Sequence, residues 1–393
     1  MDSNELPKGD STCRIFMIDT GCNLVPLAKL LVEPHWPGHE YLNLPTYSWL
    51  IINDKTNEHV LFDLGMRKDW ENCTPHIVSV VEAALPGISI DNDVPSILKA
   101  NNIELEKISA AILSHWHFDH TGNMALFPKT TKAVFGPEWK KNFGTFYPEN
   151  EEAVYHAYEF EGREVIELEA KVFNEEIAGL KAYDYFRNGS MYLLHSPGHT
   201  TDHMTALVRT TVGQNGEDDT FMLLGGDSCH FAGVLRPTHA NPLPETFTQS
   251  SDTKFPNSIS LPCPCTTWTS CHPRAQDHDE ARKLPFYVPS TADPGSFYLD
   301  QPLALKTISK LQALDANPNV FVTIAHDPTL GEVLPKLDSG RTVNDWREAG
   351  YKKKAMWGWL KELPRDGKPG MPLLVDGQYR AGTKTADLSQ SSR

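Results

Sequence analysis

The sequence has little of what membrane, secreted and nucleic-acid-binding proteins depend on. No stretch reaches the roughly 18 uncharged apolar residues that a membrane-spanning helix needs, and the polar start MDSNELPKGD has no apolar signal-peptide core. The cysteines number seven, an odd and sparse count over 393 residues that does not resemble a disulfide framework. We therefore expect reduced thiols and a cytoplasmic protein.

The sequence also has fewer basic than acidic residues. The chain has 36 Lys+Arg against 51 Asp+Glu, a net charge of −15, which would repel phosphate backbones and anionic lipid surfaces. The hydrophobic fraction of 40% and the charged fraction of 22% are typical of soluble globular proteins and exclude collagen-like, coiled-coil and disordered classes. We expect a small-molecule substrate, no nucleic acid and no membrane as partners, and the oligomeric state is left open.

Short apolar segments typical of strands alternate with segments of helical spacing along most of the chain. The length fits two to three average domains or one large layered domain. The predicted strands are RIFMID, TYSWLIIN, EHVLFDLG, SAAILS, TKAVFG, REVIEL, SMYLLH, HMTALVRT, TFMLLGG and NVFVTIA, of which the second and third form a hairpin. The predicted helices are VPSILKANN and LALKTISKLQALD, the latter of about four turns. This interleaving predicts an α/β fold.

Three regions depart from this pattern. Residues 231–300 carry many prolines and little periodicity, which predicts an irregular insertion over the core, with a lid as one possible role. From about residue 341 the chain becomes locally basic, and DWREAGYKKKAMWGWLKEL predicts an amphipathic helix in a C-terminal extension over 341–380. Residues 381–393 lack apolar anchors and are predicted to form a mobile tail.

The segment SHWHFDHTGN is the most informative stretch of the chain. It places His115, His117, Asp119 and His120 within six residues, directly after a predicted buried strand. A loop that leaves a strand can turn alternate side chains to one side, so His115 and His117 can share one metal while Asp119 and His120 face a second. The spacing therefore predicts a metal site.

Three single residues follow other predicted strands. His199 stands in HSPGHT, Asp227 in GGDS and His326 in AHDP. Ligands delivered from strand ends form a rigid site, because strands hold positions that loops alone do not. Taken alone, each has an ordinary explanation: a turn for Gly-Gly-Asp and a buried, hydrogen-bonded ring for either histidine. If the register of the PGH turn differs, His195 would replace His199.

The order of these motifs resembles the metallo-β-lactamase superfamily over about residues 12 to 330. The resemblance implies a four-layer αβ/βα sandwich, with a catalytic domain over 12–340. It also implies two metal ions. One is held by His115, His117 and His199, the other by Asp119, His120 and His326, with Asp227 bridging them. Five imidazoles and two carboxylates suit two Zn²⁺, and Mn²⁺, Fe²⁺ or Co²⁺ are also compatible.

Within the superfamily, two positions bear on the reaction. Residue 117 is His, where oxygen-reducing di-iron relatives have an acidic residue, which favours hydrolysis. SHWHFDHTGN and the PGH turn are most similar to metallo-lactonases that open N-acyl homoserine lactones and to related lactam hydrolases. Those lactonases hold the substrate carbonyl with a tyrosine three positions after the bridging aspartate, and this sequence has His230 there. The departure argues against acyl-homoserine lactone as the substrate.

The resemblance therefore predicts a hydrolase that opens a lactone or lactam-type ring. A water shared by two divalent ions has a pKa near neutral, so a bridging hydroxide can attack the carbonyl. Asp119 is the candidate proton shuttle and His230 the candidate oxyanion donor. The alternative is a thioesterase of the same superfamily that acts on glutathione, CoA or carrier-protein conjugates. A carrier protein would need a basic docking surface, which only the C-terminal helix offers.

Other side chains have both a site role and an ordinary one. Asp63, after EHVLF, either orients a metal-bound imidazole or caps a turn. Phe118 and Trp36 either form an apolar wall for the substrate or pack in the core.

The cysteines within residues 231–300 are candidates for a second zinc site. Cys263, Cys265, Cys271 and His272 lie close in sequence, but C-x-C is not the usual zinc spacing and the adjacent prolines limit how the thiols converge. Cys229 lies beside the main site but not at a ligand position, which predicts a buried inert thiol.

Overall fold

The computed structural model describes residues 6–213, 219–248, 261–292 and 295–388. The strands are β1 (Cys13–Val25), β2 (Val32–Glu33), β3 (Leu44–Asn53), β4 (His59–Phe62), β5 (Gly87–Ser89), β6 (Ile108–Ile112), β7 (Lys132–Phe135), β8 (Val165–Glu167), β9 (Glu175–Ile177), β10 (Leu180–Asp184), β11 (Met191–His195), β12 (Met204–Thr211), β13 (Thr220–Leu224), β14 (Thr246–Phe247), β15 (Cys263–Pro264), β16 (Val288–Pro289), β17 (Val320–Thr323), β18 (Gly377–Arg380) and β19 (Thr383–Asp387).

The helices are short apart from α9. They are α1 (Pro75–Ala84), α2 (Val94–Ala100), α3 (Phe118–Thr121), α4 (Trp139–Phe143), α5 (Ala157–Phe160), α6 (Ala232–Leu235), α7 (Thr266–Thr269), α8 (His278–Ala281), α9 (Gln301–Ala316), α10 (Pro328–Val333) and α11 (Tyr351–Ala355). Short 3₁₀ turns cover Ala28–Leu30, Trp70–Asn72, Leu105–Lys107, Met124–Leu126, Ala170–Val172, Leu337–Ser339 and Gly358–Glu362. The predicted strands and the helices predicted at VPSILKANN and LALKTISKLQALD each correspond to one of these elements, and β3 and β4 pair antiparallel as the predicted hairpin.

Two large sheets form the centre of the molecule. One has nine strands in the order β19-β18-β5-β1-β3-β4-β6-β7-β8, and the other has six in the order β17-β13-β12-β11-β10-β9. Within the first sheet β4, β6, β7 and β8 run parallel, and β13 and β17 are parallel in the second.

The side chains of these strands divide between three hydrophobic layers. In β3, Trp49 and Ile51 join Met222 and Leu224 of β13 in a core between the sheets, while Leu50 points the other way. Alternate residues of a strand face opposite sides of a sheet, so two-sided burial places helices outside both sheets. Leu98 of α2 covers the outer face of the nine-stranded sheet, and Leu311 of α9 covers that of the six-stranded sheet. This is the predicted four-layer sandwich.

The C-terminal segment differs from the predicted amphipathic helix. It forms α11 and the 3₁₀ turn Gly358–Glu362 instead of one continuous helix. Trp346 and Tyr351 pack in the core between the sheets, whereas Trp359 and Leu360 pack in the cluster outside the six-stranded sheet. One straight helix does not reach both clusters, so the chain turns between them.

The end of the chain also differs from the predicted mobile tail. β19 pairs antiparallel with β18 at the edge of the nine-stranded sheet. Lys384 contributes ion pairs to Asp376 at 2.9 Å and to Asp387 at 2.7 Å. Backbone pairing and ion pairs hold this segment, which lacks apolar anchors. The part of the predicted tail after residue 388 lies outside the described residues.

Residues 231–300 are irregular in their described parts, as predicted. They contain only one-turn helices and two-residue strands, although Phe231, Trp268 and Phe286 are buried in the large hydrophobic cluster. A closing motion of this segment stays a prediction. Across the described ranges, the helices are all too short or too polar to cross a bilayer.

Candidate metal centre

Loops at the ends of four strands meet at one edge of the sandwich. β6 leads to His115, β11 to His199, β13 to Asp227 and β17 to His326. β13 and β17 are parallel neighbours, so the loops that follow them leave the same edge side by side. The placement on strand ends is the one that the sequence predicts.

Two glycines let these loops approach each other closely. Gly226 has φ +49°, and a Cβ there would lie 2.8 Å from Nε2 of His203. Gly198 has φ +137°, and a Cβ there would lie 2.3 Å from the backbone nitrogen of Ala304. Any side chain at either position would strain the backbone and displace a ligand loop.

The first group of converging donors consists of His115, His117, His199 and Asp227. Nε2 of His199 lies 2.8 Å from Nδ1 of His117 and 3.2 Å from Nε2 of His115, and those last two nitrogens are 3.0 Å apart. Oδ2 of Asp227 lies 3.8 Å from the His115 nitrogen and 3.7 Å from the His199 nitrogen. Nitrogens bound to one tetrahedral zinc at about 2.0 Å are separated by roughly 3.3 Å, so these nitrogens have the spacing of donors to a shared ion.

The second group consists of Asp119, His120, Asp227 and His326. Nε2 of His120 and Nε2 of His326 each lie 3.1 Å from Oδ1 of Asp227. Oδ2 of Asp119 lies 3.6 Å from the His120 nitrogen and 3.5 Å from the His326 nitrogen. The structure therefore brings together the residues that the resemblance assigns to each ion.

Asp227 stands between the groups, and Nε2 of His326 contacts both of its oxygens, Oδ1 at 3.1 Å and Oδ2 at 3.2 Å. Its Oδ1 and Nε2 of His120 are buried and make no hydrogen bond, although they are 3.1 Å apart. Buried polar atoms without a partner are costly, and a cation between them would satisfy both. A donor set of imidazoles and carboxylates also suits divalent metals. The two groups therefore fit divalent metal ions.

Burial sets the protonation of the first group of ligand rings in the direction that metal binding requires. Burial lowers the pKa of His117 to about 3 and holds the pKa of His115 and His199 well below its usual value, so these rings are neutral with a free lone pair.

In the second group the carboxylates, Asp227 foremost, outweigh burial and raise the pKa of His120 and His326. Burial opposes ionisation of Asp227, but the adjacent imidazoles, His120 foremost, outweigh it and hold the pKa of this carboxyl well below its usual value. Asp227 is a carboxylate.

Further contacts orient the second nitrogen of the ligand rings. Oδ2 of Asp63 lies 2.8 Å from Nδ1 of His120, so the carboxylate accepts from the ring as predicted. The carbonyl oxygen of Pro45 accepts from Nδ1 of His326 at 2.8 Å. Such contacts fix the tautomer and leave Nε2 of each ring to face the centre.

His203 also contributes to the site, although no sequence motif predicts this role. Its Nδ1 donates to the Ser196 carbonyl at 3.1 Å, and its Nε2 accepts from the backbone N–H of Asp227 at 3.0 Å. It therefore holds the backbone of the residue shared by both groups. Its position four residues after His199 is the only signal that the sequence offers.

His230 lies against the centre, where the sequence predicts it. Its Nε2 is 3.1 Å from Oδ2 of Asp227, and its ring stacks on that of His326 with 5.7 Å between centroids. Nδ1 of His230 lies 2.9 Å from the hydroxyl of Tyr298, which comes from the 231–300 insertion. No motif of the sequence marks Tyr298.

Two cavities adjoin the centre. A large one of about 590 Å³ opens beside His117 and His199 and is lined mainly by apolar groups, among them Trp116, Phe143 and Phe297. A small one of about 30 Å³ reaches Asp119, Asp227, His230 and His326. Phe118 lines both cavities, and its role as a substrate wall stays a prediction.

Trp36 packs against the core, the second of its two predicted roles, and does not line the cavities beside the metal groups. Trp36 stacks on Phe286 at 6.2 Å between ring centroids and contacts Tyr287 at 6.1 Å. It lines a separate cavity with His35 and His39, away from the metal groups. The loop that carries Trp36 packs on the insertion, whose path the sequence does not predict.

The alternative sites considered from the sequence do not form. Nε2 of His195 lies 3.1 Å from the Thr201 carbonyl oxygen, outside the metal groups. Sγ of Cys263 contacts the Thr267 hydroxyl at 3.0 Å, and Nε2 of His272 lies 2.9 Å from the Leu284 carbonyl oxygen. Among the described residues, the cysteines of the insertion are not part of a group that could hold a metal.

Cys229 lies beside Asp227 and is fully buried. Burial raises the pKa of its thiol to about 12, so the thiol keeps its proton at neutral pH. This agrees with the prediction of an inert thiol, because the thiolate is the reactive form.

Comparisons with known proteins agree with this architecture. A sequence model described as the Metallo-beta-lactamase superfamily matches residues 42–206. A protein named Gamma-lactamase FDB1, from Fusarium pseudograminearum (strain CS3096), is 37% identical over 405 residues, which cover 98% of this chain and 92% of that protein. A protein named Metallo-hydrolase mfmC, from Annulohypoxylon moriforme, is 35% identical over 391 residues, which cover 98% of this chain and 95% of that protein.

Solved structures show the same fold. A crystal structure of a B. thuringiensis AiiA variant, with N-decanoyl-L-homoserine bound at its active site, matches with a TM-score of 0.51 and 17% identity. The match covers 85% of this chain and 100% of that chain. The two near-full-length relatives, both more than 30% identical, and the matching family model lead to one assignment: the chain is a metal-dependent hydrolase that belongs to the metallo-β-lactamase superfamily.

Proposed function

We propose that the protein is a dinuclear zinc hydrolase that opens a lactone or lactam-type ring of a small molecule. The observation that carries the proposal is the sharing of Asp227 between two ligand groups, each completed by buried imidazoles. When bound, two zinc ions supply a hydroxide nucleophile at neutral pH and polarise the substrate carbonyl. His115, His117 and His199 would hold one ion, and Asp119, His120 and His326 the other.

The side chains of the site have distinct parts in this reaction. Asp119 lines the small cavity over the centre, where its carboxylate is placed to take a proton from the nucleophile and return it to the leaving oxygen or nitrogen. His230 lines the same cavity and, with a proton on Nε2, donates to the negative charge that develops on the carbonyl oxygen. Phe118 and the other aromatic residues of the large cavity bind the apolar part of the substrate and exclude water.

The relatives favour ring opening over thioester hydrolysis. One relative is named a gamma-lactamase, and the AiiA variant has N-decanoyl-L-homoserine bound at its active site. The C-terminal lysines offer little support for carrier-protein docking. Nζ of Lys352 donates to the carbonyl oxygens of Asp315, Asn317 and Val320 at 2.8, 2.7 and 2.7 Å. Lys361 is buried and pairs with Glu332.

The experiment that tests the proposal is a mass-spectrometric screen of the zinc-loaded protein against lactones, lactams, cyclic carbamates and acyl thioesters. The expected result is the gain of one water by a ring substrate, abolished by a chelator and restored by zinc. Release of a thiol alone would replace the proposal with the thioesterase. A ring-opening activity that survives complete removal of metal would contradict the assigned centre.

A further inference from the structure

Among the described residues of the 231–300 insertion, Tyr298 is the only one whose side chain hydrogen-bonds to His230, and through His230 it reaches the metal centre. Its ring is buried and stands edge-on to His230, with 5.2 Å between centroids and 88° between planes. It is also edge-on to His199 at 5.4 Å. Its hydroxyl lies 2.9 Å from Nδ1 of His230, whose Nε2 lies 3.1 Å from Oδ2 of Asp227.

The backbone around Tyr298 is fixed to the ligand loop that carries His199. The N–H of Leu299 donates to the carbonyl of His199 at 2.9 Å, and the N–H of Asp300 donates to the carbonyl of Gly198 at 2.9 Å. The hydroxyl of Ser296 accepts from the N–H of Tyr298 at 3.1 Å. The phenol therefore stands at a set position relative to the centre.

One protonation arrangement of His230 satisfies both of its polar contacts, that of Nε2 with Oδ2 of Asp227 at 3.1 Å and that of Nδ1 with the Tyr298 hydroxyl at 2.9 Å. The carboxylate of Asp227 has only acceptor oxygens, so a hydrogen bond from His230 requires a proton on Nε2. Nδ1 then offers a lone pair to the Tyr298 hydroxyl, which donates to it at 2.9 Å. Burial holds the pKa of this hydroxyl well above its usual value, so it keeps its proton. Without the phenol, Nδ1 would lose its donor and the proton could move between the two ring nitrogens.

We infer that Tyr298 is a positioning residue that keeps the proton of His230 on Nε2 and so makes His230 a donor toward the metal centre. The catalytic consequence of this inference rests on the proposed function, because an oxyanion that forms on the substrate carbonyl needs an N–H donor at Nε2. The position of the proton itself does not depend on which substrate the enzyme opens.

The test compares Tyr298→Phe with a matched control, Tyr287→Phe. Tyr287 lies in the same insertion, and its buried hydroxyl makes the corresponding contact, 2.6 Å to Nδ1 of His39. Each substitution removes one hydroxyl and keeps the ring. His39 is not part of either metal group, so the control reports the general cost of losing a buried Tyr–His hydrogen bond.

The first readout is the tautomer of His230, measured by long-range ¹H–¹⁵N spectra of protein labelled in its histidines, with and without zinc. The signals that disappear in His230→Gln identify the ring. We expect a proton on Nε2 in the wild type and in Tyr287→Phe, and a mixed or reversed tautomer in Tyr298→Phe. A proton on Nδ1 in the wild type, or an unchanged tautomer in Tyr298→Phe, would overturn the inference whether or not a ring substrate is found.

The second readout is kinetic, on the ring substrate found in the screen. We expect Tyr298→Phe to lower kcat about tenfold, the loss of one hydrogen bond, with little change in KM or zinc content. His230→Gln keeps an N–H group near the position of Nε2, so adding Tyr298→Phe to it should have no further effect on kcat. If Tyr298→Phe lowered kcat equally in the wild type and in His230→Gln, Tyr298 would not act through His230.

Discussion

Oδ2 of Asp63 lies 2.8 Å from Nδ1 of His120, and Oδ1 of the same carboxylate accepts from the backbone N–H of Ser114 at 2.7 Å. Asp63 follows β4, and Ser114 precedes His115 after the neighbouring parallel strand β6. Asp63 has φ 61°, a left-handed conformation that few non-glycine residues adopt. The carboxylate therefore joins two adjacent strand ends and fixes His120 with Nε2 toward Asp227.

We predict that Asp63→Asn weakens zinc binding by about 10- to 100-fold, because an amide is a poorer acceptor for the His120 ring than a carboxylate. The measurement is competition with a chromogenic chelator. Asp54→Asn is the control, since Asp54 is exposed and pairs with Arg14 at 3.0 Å far from the centre. Equal zinc affinity in the two variants would show that Asp63 does not support the metal ligands.

Asp227→Asn is expected to remove one shared anionic ligand while keeping the shape of the side chain. Its carboxylate belongs to both groups of ligands, so both groups lose a charged donor. We predict a lower zinc content per chain and a turnover reduced by orders of magnitude. Metal analysis of the purified variant and its rate on the ring substrate check this. Near-normal activity with normal metal content would refute the assignment of Asp227.

The large cavity predicts an effect on substrate binding that is separate from the chemistry. Phe143 stacks on Trp116 with 4.7 Å between centroids and lines this cavity without belonging to either metal group. We expect Phe143→Ala to raise KM by roughly tenfold, because an aromatic contact with the substrate is lost, with a smaller effect on kcat. Leu126→Ala, at an exposed residue outside the cavity, should leave KM unchanged. Unchanged KM in both variants would show that the substrate occupies another surface.

The sequence predicts a site residue more accurately when the residues that identify it lie nearby in the sequence. His115, His117, Asp119 and His120 follow one apolar strand, and short-range spacing already places them together. His199, Asp227 and His326 are distant in sequence, but each follows a buried strand, and strand ends meet at one edge of a layered sheet.

The remaining parts of the site depend on segments without periodicity. Tyr298 and Trp36 lie in irregular chain, where neither 3.6- nor 2-residue periodicity predicts a direction for the side chain. The sequence therefore does not decide between the two roles of Trp36 and does not predict Tyr298. The C-terminal helix was predicted as one element because amphipathicity does not reveal that Trp346 and Trp359 pack in different clusters.

The buried carboxyl of Asp202 predicts how the free energy of unfolding depends on pH. Asp202 follows the His199 turn, is fully buried, and neither carboxylate oxygen has a hydrogen-bond partner. Burial raises the pKa of its carboxyl to about 7. Between pH 4 and pH 7 the unfolded chain releases this proton while the folded protein keeps it, so this group makes the free energy of unfolding fall as the pH rises. Above pH 7 both states are ionised and the contribution is constant.

Asp202→Asn removes this titration while keeping the shape of the side chain. Relative to the wild type, we expect the free energy of unfolding of the variant to increase by roughly 3 kcal/mol from pH 5 to pH 8, at about 1.4 kcal/mol for each pH unit below the folded pKa. Urea unfolding of both metal-free proteins at pH 5, 6, 7 and 8 measures the difference, in which the titration of the histidines cancels. Parallel pH profiles would show that Asp202 ionises in the folded protein at its ordinary pKa, and that water reaches a carboxyl that the structure buries completely.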